Sequence, residues 1–305
     1  MEYYVLQAKE LYKKYKGFTA LNGLTINVPR GAIYGLVGRN GAGKTTLIRL
    51  ICGLQFPTKG EYELYGIKNT DKDIIQSRKK MGAVVETPAI YMNMTARENL
   101  MQQYRILGQP DFSGIDEILE LIGLTDTGKK KAKNFSLGMR QRLGIGVALC
   151  GNPDFLVLDE PINGLDPQGI VEIRELILKL NKERKITVLV SSHILDELAK
   201  LATHYGFVDK GKIVRELSAE ELEAECRKCT RYTVTDTKAF ADAVAEMGFE
   251  CKIVDDSKAD VYDKVNITQL VTALSEKNCE ILNVQEQDES LEGFFISLVG
   301  EESNA

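Results

Sequence analysis

Histidine is scarce and tryptophan absent in this 305-residue chain, with two and none respectively. Two histidines leave few ligands for a metal site. The six cysteines fall at irregular spacings, and without an export signal they read as reduced thiols rather than a disulfide framework. Cys226 and Cys229 form a lone C-x-x-C. A structural zinc site needs two more ligands, and Cys251 and Cys279 lie far away in sequence, so whether the pair binds a metal stays open. No apolar run approaches the ~18–20 residues that span a bilayer, so the chain is expected not to cross a membrane by itself. Met1 to Glu10 lacks the basic start and apolar core of a secretory signal, and the expected location is cytoplasmic. A basic excess is missing too: 39 Lys and Arg against 44 Asp and Glu give a net charge of −5, so no nucleic-acid partner is expected. Lys129, Lys130, Lys131 and Lys133 read as solvated surface.

What is present is an ordinary globular composition, 44% hydrophobic and 27% charged, in a chain long enough for two moderate domains. Over residues 1–220, short apolar runs alternate with helical patterns, which predicts an α/β domain with a mainly parallel sheet. Candidate strands are Ile33 to Val37, Gly82 to Val85, Phe155 to Leu158 and Thr187 to Ser191. Alternation in Tyr4 to Ala8 and Leu24 to Val28, with turns expected at Lys16-Gly17 and Asn22-Gly23, predicts an antiparallel edge sheet. Ile115, Ile118, Leu119, Leu121 and Ile122 give Gly108 to Leu124 the spacing of an amphipathic helix, part of a helical subdomain expected over about 88–150.

Residues 221–305 read as a second, α+β domain, after an acidic helix from Ser218 to Glu225. Strands expected at Tyr232 to Val234, Glu250 to Val254, Val261 to Val265 and Glu280 to Val284 interleave with helices around Phe240, Val244 and Met247 and around Leu270, Val271 and Leu274. That is the split βαβ order of a ferredoxin-like fold. Leu291, Phe294, Phe295, Leu298 and Val299 then space out as one buried helix face.

The nine residues Gly38, Arg39, Asn40, Gly41, Ala42, Gly43, Lys44, Thr45 and Thr46 lie between an apolar strand and the apolar-periodic Leu47 to Ile51. Strand, glycine loop, helix is the context of a Walker A phosphate loop. Its glycines turn backbone N–H groups onto an anion, Lys44 reaches the β and γ phosphates, and the Thr45 hydroxyl can ligate Mg²⁺. The helix N-terminus adds a partial positive charge. A nucleoside triphosphate is the expected ligand.

Phe155 to Glu160, four apolar residues followed by two carboxylates, reads as a buried strand delivering Asp159 and Glu160 to its carboxyl end, where α/β sheets bind ligands. Asp159 suits Mg²⁺; Glu160 suits an attacking water. Upstream, Asn134 to Arg142, centred on Phe135-Ser136-Leu137-Gly138-Met139, runs into a helix. This segment resembles the signature of ATP-binding cassette (ABC) proteins, with Ser136 and Gly138 at the serine and second-glycine places. Gly164-Leu165-Asp166-Pro167 resembles the family's D-loop, and His193 after Ser191-Ser192 its switch histidine. The resemblance, which covers residues 1 to about 220, implies a P-loop NTPase fold hydrolysing ATP with Mg²⁺. It also implies a homodimer in which the Ser136 segment of one cassette completes the ATP site of the other. It gives Tyr15 the adenine-stacking place, although core packing is an alternative there, and Asp166 a place at the shared site.

Departures narrow the group. Glu86, in Gly82 to Ala89, stands where most cassettes carry the Q-loop glutamine, and Leu137 and Met139 replace glycine and glutamine in the signature. A carboxylate can ligate Mg²⁺ as an amide oxygen does, while adding negative charge, so Glu86 joins Glu160 and His193 as catalytic candidates and Thr45 and Asp159 as metal candidates. These features resemble cassette subunits of bacterial two-component exporters of the bacitracin-resistance and lantibiotic-immunity type. The implied partner is a transmembrane permease that would hold the chain on the inner face of the cell membrane and carry the substrate, a peptide antibiotic or lipid-like compound. The alternative is a non-transport ABC ATPase of DNA repair or translation, which would carry a long coiled coil or a second cassette; neither is in this sequence.

Overall fold

The computed structural model describes residues 3–109, 111–225, 229–287, 293–295 and 298, and the chain divides into two compact units, Met1–Ala219 and Glu220–Ala305. The first unit opens on a long hairpin of β1 (Tyr4–Tyr15) and β2 (Phe18–Pro29), closed at Lys16-Gly17. Asn22-Gly23 is not a turn: it lies inside β2, where the register shifts and Gly23 takes a φ of 78°. The glycine supplies a left-handed backbone, and the pairing continues through it as a bulge.

The unit continues with β3 (Ile33–Val37), α1 (Lys44–Ile51), β4 (Lys59–Leu64), β5 (Ile67–Lys68), α2 (Ile74–Lys79) and β6 (Met81–Val84). Three helices follow, α3 (Ala96–Ile106), α4 (Ile115–Leu121) and α5 (Leu137–Leu149). Then come β7 (Phe155–Asp159), α6 (Pro167–Arg184), β8 (Thr187–Ser192), α7 (Leu195–Ala199), β9 (His204–Asp209) and β10 (Lys212–Ser218). An antiparallel sheet runs β2-β1-β4-β5, and a six-stranded sheet runs β10-β9-β3-β8-β7-β6, parallel except for the β10 edge. Every residue of β3, β7 and β8 is buried, as strands covered on both faces require.

In α4, Ile115, Ile118 and Leu119 are buried, yet the helix is shorter than its periodicity suggests. A capping box of Thr95 and Glu98 starts α3. The Thr95 backbone N–H donated to Glu98 holds that carboxyl below its usual range. Glycines in α5 mark close packing: a Cβ on Gly146 would lie 2.7 Å from Ile122 Cδ1, and one on Gly144 2.5 Å from Pro88 Cβ. Alanine in a helix interior ordinarily gains about 1 kcal/mol over glycine. Gly144→Ala is expected instead to destabilise the chain by ~1–3 kcal/mol through overpacking, seen as a lower urea midpoint. A raised midpoint would mean that Pro88 moves aside freely.

The second unit holds α8 (Ala219–Glu225, which begins at the boundary), β11 (Cys229–Val234), α9 (Thr237–Glu246), β12 (Cys251–Ile253), β13 (Lys258–Val261), α10 (Ile267–Glu276) and β14 (Ile281–Gln287). Its sheet is antiparallel in the order β12-β13-β11-β14. The strand expected over Val261 to Val265 runs instead over Lys258–Val261, because Lys258 to Val261 pair with Thr233 to Thr230. Phe240, Val244, Ala259, Val261, Leu270 and Leu274 form the unit's core. Phe294 and Phe295 are buried and helical; Leu291, Val299 and Cys226 lie outside the described residues.

Cys52, Cys150, Cys251 and Cys279 are free thiols. Burial pushes the Cys52 and Cys150 thiols up to about 12, so both stay protonated and inert near neutrality.

Candidate active site

In the six-stranded sheet β8 lies between β3 and β7, and the parallel register sets Val37 opposite Ser192 and Asp159 opposite Ser191. The glycine loop after β3, the carboxylates at the end of β7 and the histidine after β8 therefore share the same carboxyl edge, where α/β sheets bind ligands. Gly41 and Gly43 have φ of 83° and 116°, left-handed values that place the loop's N–H groups at the start of α1. A Cβ on Gly43 would stand 2.8 Å from Ala20 O, and one on Gly38 2.6 Å from Val208 O, so both are glycine for space. Arg39 and Asn40 are exposed, while Thr45 and Thr46 are half-buried in the first turn of α1.

Lys44, only 5% exposed, donates to Gly38 O at 2.6 Å and Arg39 O at 3.3 Å, and its Nζ lies 3.2 Å from Glu160 Oε1. The other Glu160 oxygen, Oε2, is 2.8 Å from His193 Nδ1. The structure thus joins Lys44, Glu160 and His193 through the two oxygens of one carboxylate. Glu160 has a φ of +49° and Glu86 one of +60°. Such backbone costs ~1–3 kcal/mol in a non-glycine residue and concentrates at functional sites.

Sequence reasoning missed Ser191 as a supporting group. It is fully buried; its hydroxyl donates to Asp159 Oδ1 at 2.6 Å and accepts the Glu160 N–H at 2.9 Å. The available signal was two adjacent serines closing an apolar strand. Ser191→Ala is expected to lower stability by ~1–3 kcal/mol, since it leaves a buried carboxylate oxygen short of a partner, while the Glu160 N–H keeps its bond to the Ser191 carbonyl at 3.2 Å; urea unfolding measures it. An unchanged midpoint would sink that role.

Asp159 is 1% exposed. Thr45, Asp159 and Glu86 offer oxygen donors only, the chemistry Mg²⁺ takes. Among the described residues no group of three or more His, Cys, Asp or Glu is gathered around a metal position. The Glu86 carboxylate pairs with Arg49 of α1 and is 55% exposed.

Ser136 and Asp166 form a second cluster. Each caps a helix, Ser136 Oγ accepting from Met139 N–H in α5 and Asp166 Oδ1 from Gly169 N–H in α6. A Cβ on Gly138 would be 3.7 Å from Gly169 Cα, so the two helix starts sit side by side. The side-chain hydrogen bonds described for Ser136 and Asp166 run to these helix starts, and none described runs to Lys44 or Glu160. Tyr15 is 39% exposed, which removes core packing as its role; its hydroxyl donates to Gln55, and Lys13 Nζ lies 5.2 Å from its ring centroid. No helix among the described residues is long and apolar enough to cross a membrane.

Residues 21–163 match the ABC transporter family. The chain is 40% identical over 300 residues to the bacitracin transport ATP-binding protein BcrA of Bacillus licheniformis, covering 97% of both chains. It is 41% identical over 212 residues to the lantibiotic transport ATP-binding protein SrtF of Streptococcus pyogenes, covering 70% of this chain and 90% of the relative. Among solved structures, a dimeric post-hydrolysis ATP-binding cassette bound to ADP and Pi superposes with a TM-score of 0.62 at 28% identity, over 70% of this chain and 98% of that one. The joined Lys44–Glu160–His193 geometry and near full-length identity to BcrA agree: this chain belongs to the ABC transporter family, as an ATP-binding and ATP-hydrolysing subunit.

Proposed function

We propose that two copies of this chain share two ATP sites and drive export of a substrate through a separate membrane permease, the cassettes lying on the cytoplasmic face of the membrane. The relatives' names make a peptide antibiotic or similar amphiphile the proposed cargo. What carries the reading is the division of the site residues into two clusters within one chain, Lys44 with Glu160 and His193, and Ser136 with Asp166. Two chains facing head to tail bring one cluster of each onto a single nucleotide. Gly38 to Thr46 hold the phosphates, Tyr15 the base, and Thr45, Asp159 and Glu86 would hold Mg²⁺, which when bound offsets phosphate charge.

The ion pair between Lys44 and Glu160 gives the order of events. An arriving triphosphate offers Lys44 a stronger anion than one carboxylate, so its ammonium turns to the β and γ phosphates. Glu160 Oε1 is then released to accept a proton from a water in line with the γ-phosphate. His193 keeps Oε2 oriented. Tyr91 and Met92, 49% and 38% exposed, stand on a segment tied down by Asn99 and Lys133, which supports this surface as the permease seat. The β-α-β-β-α-β order of the second unit supports a ferredoxin-like accessory module.

Shared sites make hydrolysis depend on protein concentration. The ATPase rate per chain is expected to fall steeply on dilution below the dimer constant, followed by phosphate release. A rate per chain that stays constant would overturn the shared-site arrangement.

A further inference from the structure

Glu86 presents a carboxylate where an amide is usual, and the structure supplies it with a counter-ion. Arg49 Nη2 donates to Glu86 Oε1, from the same α1 helix that carries Lys44 and Thr45. Thr45 and Arg49 are four residues apart, hence on one helix face and about 6 Å apart along its axis. Arg49 is thus rooted one helical turn beyond the hydroxyl that would ligate Mg²⁺, and its guanidinium holds the Glu86 carboxylate. The backbone anchors this stance from the other side. Glu86 has a left-handed φ of +60°, and two residues on, Pro88 packs so closely on α5 that a Cβ on Gly144 would be 2.5 Å away. The segment is fixed at Pro88 while the Glu86 side chain itself is 55% exposed and able to swing.

We propose that Arg49 parks Glu86, so that the guanidinium and an incoming divalent cation compete for one carboxylate and Arg49 sets how much cation the ATP site requires. The proposal rests on Glu86 being a metal ligand. An amide at this place would have no such strong tie to Arg49, since an uncharged acceptor binds a guanidinium more weakly than a carboxylate does. The competition is modest: a solvent-exposed pair shifts an equilibrium by about 1.5- to 5-fold. That range makes it a tuning element, separate from the hydrolytic step at Glu160.

The test is an equilibrium one, on the full chain carrying Glu160→Gln to stop turnover. Mn²⁺ is the probe ion, its free concentration read by electron paramagnetic resonance in the presence of ATP. Arg49→Gln is expected to lower the half-saturating Mn²⁺ concentration about threefold, and Arg49→Lys to stay closer to the parent. Glu86→Gln is expected to raise it, and adding Arg49→Gln to Glu86→Gln is expected to change it little further. An equal shift from Arg49→Gln in both backgrounds would mean a general field effect and would overturn the parking role. So would an increase, or no change, from Arg49→Gln beside a clear effect of Glu86→Gln. No effect of Glu86→Gln alone would instead remove Glu86 from the metal site and end the underlying reading.

Discussion

Glu160→Gln is expected to cut ATP turnover about 1,000-fold while leaving nucleotide binding intact. Removing a positioned general base costs ~10²–10⁴ in rate, and Glu160 is the carboxylate whose two oxygens meet Lys44 and His193. Glutamine matches its size, and its amide oxygen can still accept from Lys44, so the fold and the loop geometry should survive. The amide has no basic oxygen for a water proton. Bound ATP would then persist, and with it the closed pair of cassettes. Phosphate release measures the rate, and size-exclusion chromatography in ATP measures the trapped dimer. Parent-like hydrolysis would remove Glu160 from the role of base.

Lys44→Ala is expected to weaken ATP binding about 100-fold, the second largest effect. Charge-assisted hydrogen bonds are worth ~1.5–3 kcal/mol each, and losing about 2.7 kcal/mol of them is a factor of 100. The ammonium is almost entirely buried, and its neighbours before nucleotide arrives are two loop carbonyls and Glu160. Among the hydrogen bonds and ion pairs described, no other lysine or arginine contacts these groups, so no second ammonium or guanidinium replaces the lost charge. The Glu160 carboxylate, 19% exposed, keeps some water and should not unfold the chain when its partner goes. Titration with a fluorescent ATP analogue reads the affinity. Binding within a factor of about 3 of the parent would mean that the loop's N–H groups and helix N-terminus suffice without Lys44.

The two substitutions separate binding from chemistry. A chain that binds ATP but does not turn it over isolates the Glu160 step, and one that fails to bind isolates the loop. Mixing the two variants should not restore hydrolysis, because the Lys44 and Glu160 of one site come from the same chain: each mixed dimer has one site without the Lys44 ammonium and one without the Glu160 base.

Local chemistry made much of this protein legible in its sequence. The turn at Lys16-Gly17, the buried runs of β3, β7 and β8, and the phosphate loop depend on periodicity or on glycine at left-handed φ, all within a few residues. Ser136 and Asp166 likewise cap the helices that directly follow them. Where the pairing partner was distant, the reading slipped: Asn22-Gly23 became a bulge because β1 extends to Tyr15, and β13 shifted because β11 fixes its register. Short elements such as β4, β5 and α2 have too few residues for a period to show.

The sequence by itself determined which residues could hold a phosphate, a base and an activated water. Only the tertiary structure decided that β8 lies between β3 and β7, and so that Lys44, Glu160 and His193 meet. It also decided that Ser191 supports the Asp159 carboxylate and the Glu160 backbone and that Arg49 holds Glu86. Strand order and register are set by burial of whole faces and by hydrogen bonds between segments far apart in the chain, and no local pattern in any one segment specifies its neighbour.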